Sequence, residues 1–185
     1  KEDFRQINSI NVNRGPDNQD IYEYQTDNYT VKIGHTRLSI QDLSSLANQP
    51  MISTSGRFVI SFNGEIYNHL DLRKLIINEI NHSTTSDTET LLNMFEKYDF
   101  ESTLKYLEGM FSFILIDRKY NKLYLARDIT GEKPLYIGMF SNSLFVGSDL
   151  KTLKKIKDFE IEISQESLQQ YLEYNYIPNP KTIYN

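Results

Sequence analysis

Cysteine is absent from all 185 residues. That excludes disulfides, thiolate-bound zinc and any cysteine nucleophile within this stretch. Histidine is scarce, with three residues at scattered positions 35, 69 and 82, and no metal site is expected from them. No apolar run approaches the ~20 residues of a membrane span, and the charged start "KEDFRQ" lacks the apolar core of a signal peptide. No membrane partner and a cytoplasmic location are therefore expected. Positive charge is also short: Lys and Arg number 20 against 25 Asp and Glu, a net charge of -5. With no basic stripe to neutralise phosphates, nucleic acid is not an expected partner, although small anions stay open. Repeats and low-complexity linkers are missing as well.

What is present is an ordinary globular composition, 39% hydrophobic and 24% charged, in a length that suits one domain with a real core. Strand-like segments fall at residues 28–40, 56–63, 110–117, 122–128, 133–140 and 143–149, punctuated by turn residues. The connections "DRKYNK", "TGE" and "SNS" are short enough for hairpins, which predicts an antiparallel meander in the second half. Three helices are expected. The first follows Gly64, with Leu72, Leu75, Ile76 and Ile80 recurring at spacings of three and four. The second is "SDTETLLNMFEKY", where Ser86 and Glu89 form a capping-box pair ahead of Leu91, Leu92 and Phe95. The third is "SQESLQQYLEYNY", capped by Ser164 and ending before Pro178. Strands such as "FSFILI" are apolar on both faces and must be covered on both. The fold class that follows is α+β: two mainly antiparallel sheets packed as a sandwich with helices outside.

One stretch resists a purely structural reading. In "RFVISFNGEIYNHLDLRKLI" an alternating strand reaches Asn63-Gly64, a pair that normally closes a two-residue hairpin. No second strand follows; helical periodicity does. The pair therefore sits at a strand-to-helix junction, where a side-chain amide and a bare backbone N–H can point together at a ligand. Taken alone, Asn-Gly is also common in turns that bind nothing.

Eight ordered segments carry a resemblance: "RGPDNQD" (residues 14–20), "GHTRLSIQDLS" (34–44), "NQPM" (48–51), "FNGEIYNHLDLR" (62–73), "SDTETLL" (86–92), "LEGMFSFILID" (107–117), "LARDITGEKPLY" (125–136) and "YIPNPKTIY" (176–184). Nearly the whole chain resembles the N-terminal glutaminase domain of glutamine-dependent asparagine synthetases. That is a class II glutamine amidotransferase domain with the four-layer αββα fold of N-terminal nucleophile hydrolases.

The resemblance implies a chemistry. An N-terminal cysteine attacks the side-chain amide of glutamine with its own α-amino group as base, and ammonia leaves as a glutamyl thioester forms. The side-chain NH₂ of Asn63 and the backbone N–H of Gly64 would form the oxyanion hole. Arg37 would hold the α-carboxylate, for which its planar fork of donors is suited, and Asp87 the α-ammonium. Glu65 is a further candidate on the ammonium side, and Leu38 and Ile40 would contribute backbone atoms. Arg37 can also be read as a solvent-facing strand residue, and Asp87 as a carboxylate placed by the helix dipole. Arg14 and Asp17 are read as a structural pair around Pro16, and His35, with no acid or serine beside it in sequence, as a support for its loop. Asn13 and Thr130 replace the family's usual histidine and aromatic.

Two features depart further from the family. The nucleophilic cysteine and its strand, which lies inside a sheet in that fold, are missing, and no "SGGxDS" phosphate loop of the following ATP-pyrophosphatase domain occurs. The expectation is one domain over residues 1–185, cut at both ends. No cofactor is expected in it; ATP and magnesium belong to the following domain. Its partners would be glutamine, that domain and a second copy in a homodimer. Three functions stay open: a glutaminase domain whose front end lies elsewhere, a glutamine- or glutamate-binding regulatory module without a nucleophile, and a docking domain with a vestigial pocket. A polypeptide of these 185 residues alone is expected to have no glutaminase activity. Glutamate release above the buffer background would overturn that expectation.

Overall fold

The computed structural model describes residues 4–77, 81–140, 142–156 and 162–184. Ile80, assigned above to the first helix, lies outside them. The elements are α1 (Phe4–Ser9), β1 (Asn18–Gln25), β2 (Thr30–Arg37), β3 (Met51–Ile52), β4 (Phe58–Ile66), α2 (His69–Ile76), α3 (Asp87–Lys97), α4 (Phe100–Tyr106), β5 (Gly109–Asp117), β6 (Lys122–Arg127), β7 (Tyr136–Phe140), β8 (Ser143–Gly147), α5 (Leu150–Leu153) and α6 (Gln165–Tyr174).

Alternation in β4 and β5 sets the layering, because successive side chains on a strand point to opposite faces. Ile60, Phe62 and Ile66 of β4 join Phe111, Phe113 and Leu115 of β5 on one face. Against them pack Leu72 and Ile76 of α2 and Leu91, Leu92 and Phe95 of α3. Val59 and Ile116 point the other way and meet Ile33 of β2. The first sheet has the antiparallel order β3-β4-β5-β6. On its second face lies the β1–β2 ribbon, and α1 packs on the outside of β2 and β1. The result is the expected α+β sandwich in the order helix, sheet, sheet, helix.

The structure corrects the sequence reading in several places. β6 and β7 do not pair; β7 and β8 form a ribbon of their own, so the meander is broken. The cause is Asp128, whose carboxylate accepts from the N–H groups of Phe111, Glu132 and Lys133 and from the Thr130 hydroxyl. That network folds residues 128–133 into a loop instead of a tight turn. Helix α2 begins at His69, not directly after Gly64, because β4 continues to Ile66. Ser86 caps α3 by accepting from Glu89 N–H at 3.2 Å, but the return arm of the capping box is not made. The Glu89 carboxylate instead accepts from Ser83 and Thr84 N–H at 2.7 and 2.9 Å. Ser164 caps α6 as expected, and Asn175 ends it in the left-handed region at φ 61°. Strand β1 and helix α4 were not anticipated, since "NQDIYEYQ" is polar at alternate positions and "FESTLKY" is short.

Phe113 anchors the interior: it is 1% exposed, and its ring lies 5.8 Å from those of both Phe95 and Phe111. Phe113→Ala is expected to cost about 3–5 kcal/mol, a large share of the roughly 5–15 kcal/mol of a typical domain. Urea unfolding checks this, and a loss below about 1 kcal/mol would contradict the packing described.

Candidate active site

The site grows from one edge of β4. Antiparallel pairing makes successive residues turn their N–H groups alternately toward the partner strand and away from it. Phe62 N–H points away from β5 and donates to Gln49 Oε1 at 2.7 Å, and Ile66 N–H donates to Asp87 Oδ2 at 2.9 Å. Gly64 lies between them with the same orientation. β3 pairs with β4 only as far as Ile60, so no strand covers this edge beyond it. The Gly64 N–H has no acceptor among the described residues, and neither does the side-chain NH₂ of the adjacent Asn63. Both residues line a cavity of about 710 Å³. Glycine is required at 64 because a Cβ there would lie 2.1 Å from the Met110 carbonyl oxygen.

Arg37, at the end of β2, is 8% exposed and also lines the cavity. Its Nη1 donates to the Ser44 carbonyl at 2.8 Å and to Asn48 Oδ1 at 2.7 Å, and its Nη2 donates to the Asp42 carbonyl. Of the five guanidinium donors, Nε–H and one Nη2 hydrogen remain for a ligand. The expected solvent-facing alternative for Arg37 is thus not what the fold adopts. Asp87 is 7% exposed and has no ion-pair partner among the described residues. Burial pushes its carboxyl pKa upward, against the opposing hydrogen bonds from Ile66 and Thr88. Such a carboxylate favours a cation beside it. Glu65 lines the same cavity and accepts from Gln41 Nε2 at 3.0 Å. Leu38 and Ile40 line it from the loop after β2, with side chains 55% and 75% exposed.

All seven sequence-assigned residues therefore border one cavity. Its walls include β2 and β8, each paired along a single edge among the described residues. Its base holds Ser61, Asn63 and Ser112. Ser112 is the register partner of Asn63 and donates to the Pro134 carbonyl at 3.1 Å.

Several contributors escaped the sequence reading. Gln49 holds the β4 edge through Phe62 and reaches Thr88 Oγ1 at 3.3 Å; its only signal was a place in "NQPM". Asp42 ties the loop after β2 to Thr85 by accepting from its N–H and hydroxyl. His35 stands within β2 between the sheets instead of supporting a loop, and its Nδ1 lies 3.1 Å from Ser61 Oγ. The serine comes from across the sandwich, so sequence neighbours could not show it. Burial, with the Arg37 charge adding to it, lowers the His35 pKa from 6.5 to about 4. Arg14 and Asp17 are structural as expected, but not as a pair. Arg14 meets Asp149 at 3.5 Å, and Asp17 Oδ2 accepts from Ser39 N–H at 2.6 Å.

Among the described residues no helix is long and apolar enough to cross a membrane. Residues 1–185 match the model of a glutamine amidotransferase domain family. The chain is 37% identical over 184 residues to asparagine synthetase [glutamine-hydrolyzing] 1 of Bacillus subtilis, covering 99% of this chain and 28% of that protein. It is 38% identical over 141 residues to asparagine synthetase [glutamine-hydrolyzing] 1 of Arabidopsis thaliana, covering 76% of this chain and 23% of that protein. The chain thus spans less than a third of the length of these relatives. Its fold is like that of the glutamine phosphoribosylpyrophosphate amidotransferase of B. subtilis, with a TM-score of 0.58 at 24% identity, over 66% of this chain and 28% of the other.

The part-buried His35 generates a pH dependence. A histidine depressed in the folded state takes up its proton more readily when unfolded, so folding stability is present above pH 6.5 and is lost as pH falls toward about 4. The loss from His35 is on the order of 3 kcal/mol. His69 and His82 are also lowered by burial and act in the same direction. His35→Gln, with both of them retained, is expected to flatten unfolding free energy between pH 6.5 and 4 relative to the wild type; equal slopes would mean that His35 is charged in the folded protein.

Proposed function

The chain belongs to the glutamine amidotransferase domain family, and from that premise we propose that it hydrolyses glutamine to glutamate and ammonia as part of an asparagine synthetase-like enzyme. Since these 185 residues contain no cysteine, the nucleophile comes from outside them. Its strand would enter the cavity between β2 and β8, and the unpaired edges of both strands support that placement. The free α-amino group of that cysteine acts as base.

In this reading Arg37 takes the α-carboxylate with its two remaining donors, while Asp87 and Glu65 take the α-ammonium. Thiolate attack on the side-chain carbonyl carbon moves an electron pair onto the amide oxygen, and the oxyanion is held by Asn63 Nδ2–H and Gly64 N–H. Collapse expels ammonia and leaves a thioester, which water hydrolyses to glutamate and the free thiol. The ammonia then serves ATP- and magnesium-dependent amidation of a carboxylate, with aspartate the expected acceptor, in the rest of the parent polypeptide. The reaction is placed in the cytoplasm. The observation that carries this reading is the Gly64 N–H, left without an acceptor among the described residues between two neighbours that have one, beside the Asn63 amide, also without a partner among them.

In the full-length polypeptide, Asn63→Ala is expected to lower kcat for glutamine hydrolysis by roughly 10²–10³ with KM little changed. Arg37→Ala and Asp87→Ala should instead raise KM, since the groups they hold keep their charge through the reaction. Ammonia-dependent synthesis should survive all three changes. An Asn63 variant altered only in KM, or ammonia-driven activity that falls in step with glutamine-driven activity, would refute these roles. Glutamine binding without hydrolysis by the wild type would make the protein a binding module.

A further inference from the structure

A zwitterionic amino acid carries its carboxylate and ammonium on one carbon, so the two groups that grip them must keep a fixed separation. Arg37 and Asp87 come from different layers. Arg37 ends a strand of one ribbon; Asp87 begins the helix on the far side of the first sheet. Asp42 connects them. Its backbone carbonyl accepts from Arg37 Nη2, and its carboxylate accepts from Ser44 N–H at 2.7 Å, Thr85 N–H at 2.7 Å and Thr85 Oγ1 at 2.9 Å. The Ser44 it orders presents its own carbonyl to Arg37 Nη1 at 2.8 Å. The Thr85 it holds is followed by Ser86, the cap of α3, and then by Asp87. Asp42 is 8% exposed, and its carboxyl is held well below the usual range by the bonds from Ser44 and Thr85. Gln49 makes a second, uncharged link from the end of the same loop to Thr88 at 3.3 Å.

We propose that Asp42 is a positioning residue for amino acid recognition, setting the separation of Arg37 and Asp87 without touching the substrate. The proposal rests on the roles given above to those two residues. Loss of the Asp42 carboxylate lets the loop that carries the Arg37 guanidinium and the turn that carries Asp87 shift relative to each other, while the Arg37 bonds to Ser44 and Asn48 and the Asn63–Gly64 edge, held by Gln49 and by pairing with β5, stay in place. Recognition of the head group should therefore weaken while the reacting amide is still handled normally.

The test uses the full-length polypeptide. Asp42→Asn keeps the size of the side chain but gives one acceptor oxygen where two are needed. KM for L-glutamine is expected to rise about tenfold or more, with kcat within about twofold. Glutaramate, which lacks the α-amino group, uses only one of the two grips, and its affinity as a competitor should fall less than about threefold in the same variant. A merely structural role would weaken both ligands alike. Should Asp42→Asn fail to fold, Thr85→Val removes one of the bonds to Asp42 and is expected to show the same pattern with smaller changes. An unchanged KM, or equal losses for glutamine and glutaramate, overturns the proposal alone. A wild type that binds no L-glutamine overturns the reading of the site as well.

Discussion

The edge of β4 beyond Ile60 is the constraint from which the site follows. Because β3 stops pairing there, alternate N–H groups of β4 lose their neighbour and must find other acceptors. Two of the three do, at Gln49 and Asp87, and both acceptors arrive from distant elements. The third, Gly64, is left facing the cavity. Gly64 is part-exposed, so its N–H is free to meet an acceptor that enters the cavity. Gln49 and Asp87 thus do more than line a pocket. They satisfy the flanking groups and so define which donor stays free.

The same arrangement ties recognition to architecture. The sandwich apposes β2 and β4, and the contacts run along it from Ile33 on Val59 to His35 on Ser61, with Arg37 and Asn63 next at the cavity. The apolar end is the core; the polar end opens on the cavity. The Asp128 loop plays the matching role on the other wall, sending the chain from β6 across to the β7–β8 ribbon instead of back along the first sheet. After this crossing, residues of β8 line the same cavity as those of β2.

Much of this was legible in the sequence. Alternation in residues 56–63 and 110–117 gave the central strands, caps at Ser86 and Ser164 gave two helix starts, and Asn63-Gly64 stood out because no hairpin partner followed it. What misled was a competing partner, local in one case and distant in the other. Ser86 and Glu89 have the spacing of a capping box, yet Glu89 binds Ser83 and Thr84 because Ser86 N–H already donates to Thr84 Oγ1. The pair expected between Arg14 and Asp17 is resolved by Asp149 and Ser39, which are near only in the folded chain.

The sequence by itself determined the family and the α+β class and singled out seven residues that all line one cavity, because motif identity and periodicity are properties of neighbouring residues. Only the tertiary structure decided that the Gly64 N–H has no acceptor among the described residues, which loop atoms hold the Arg37 guanidinium, and that Asp42 joins the loop after β2 to Thr85. The first and the last depend on hydrogen bonds between segments far apart in the chain, and the Arg37 bonds on the path of an irregular loop that follows β2. Such bonds follow from how the layers pack, and no local pattern encodes them.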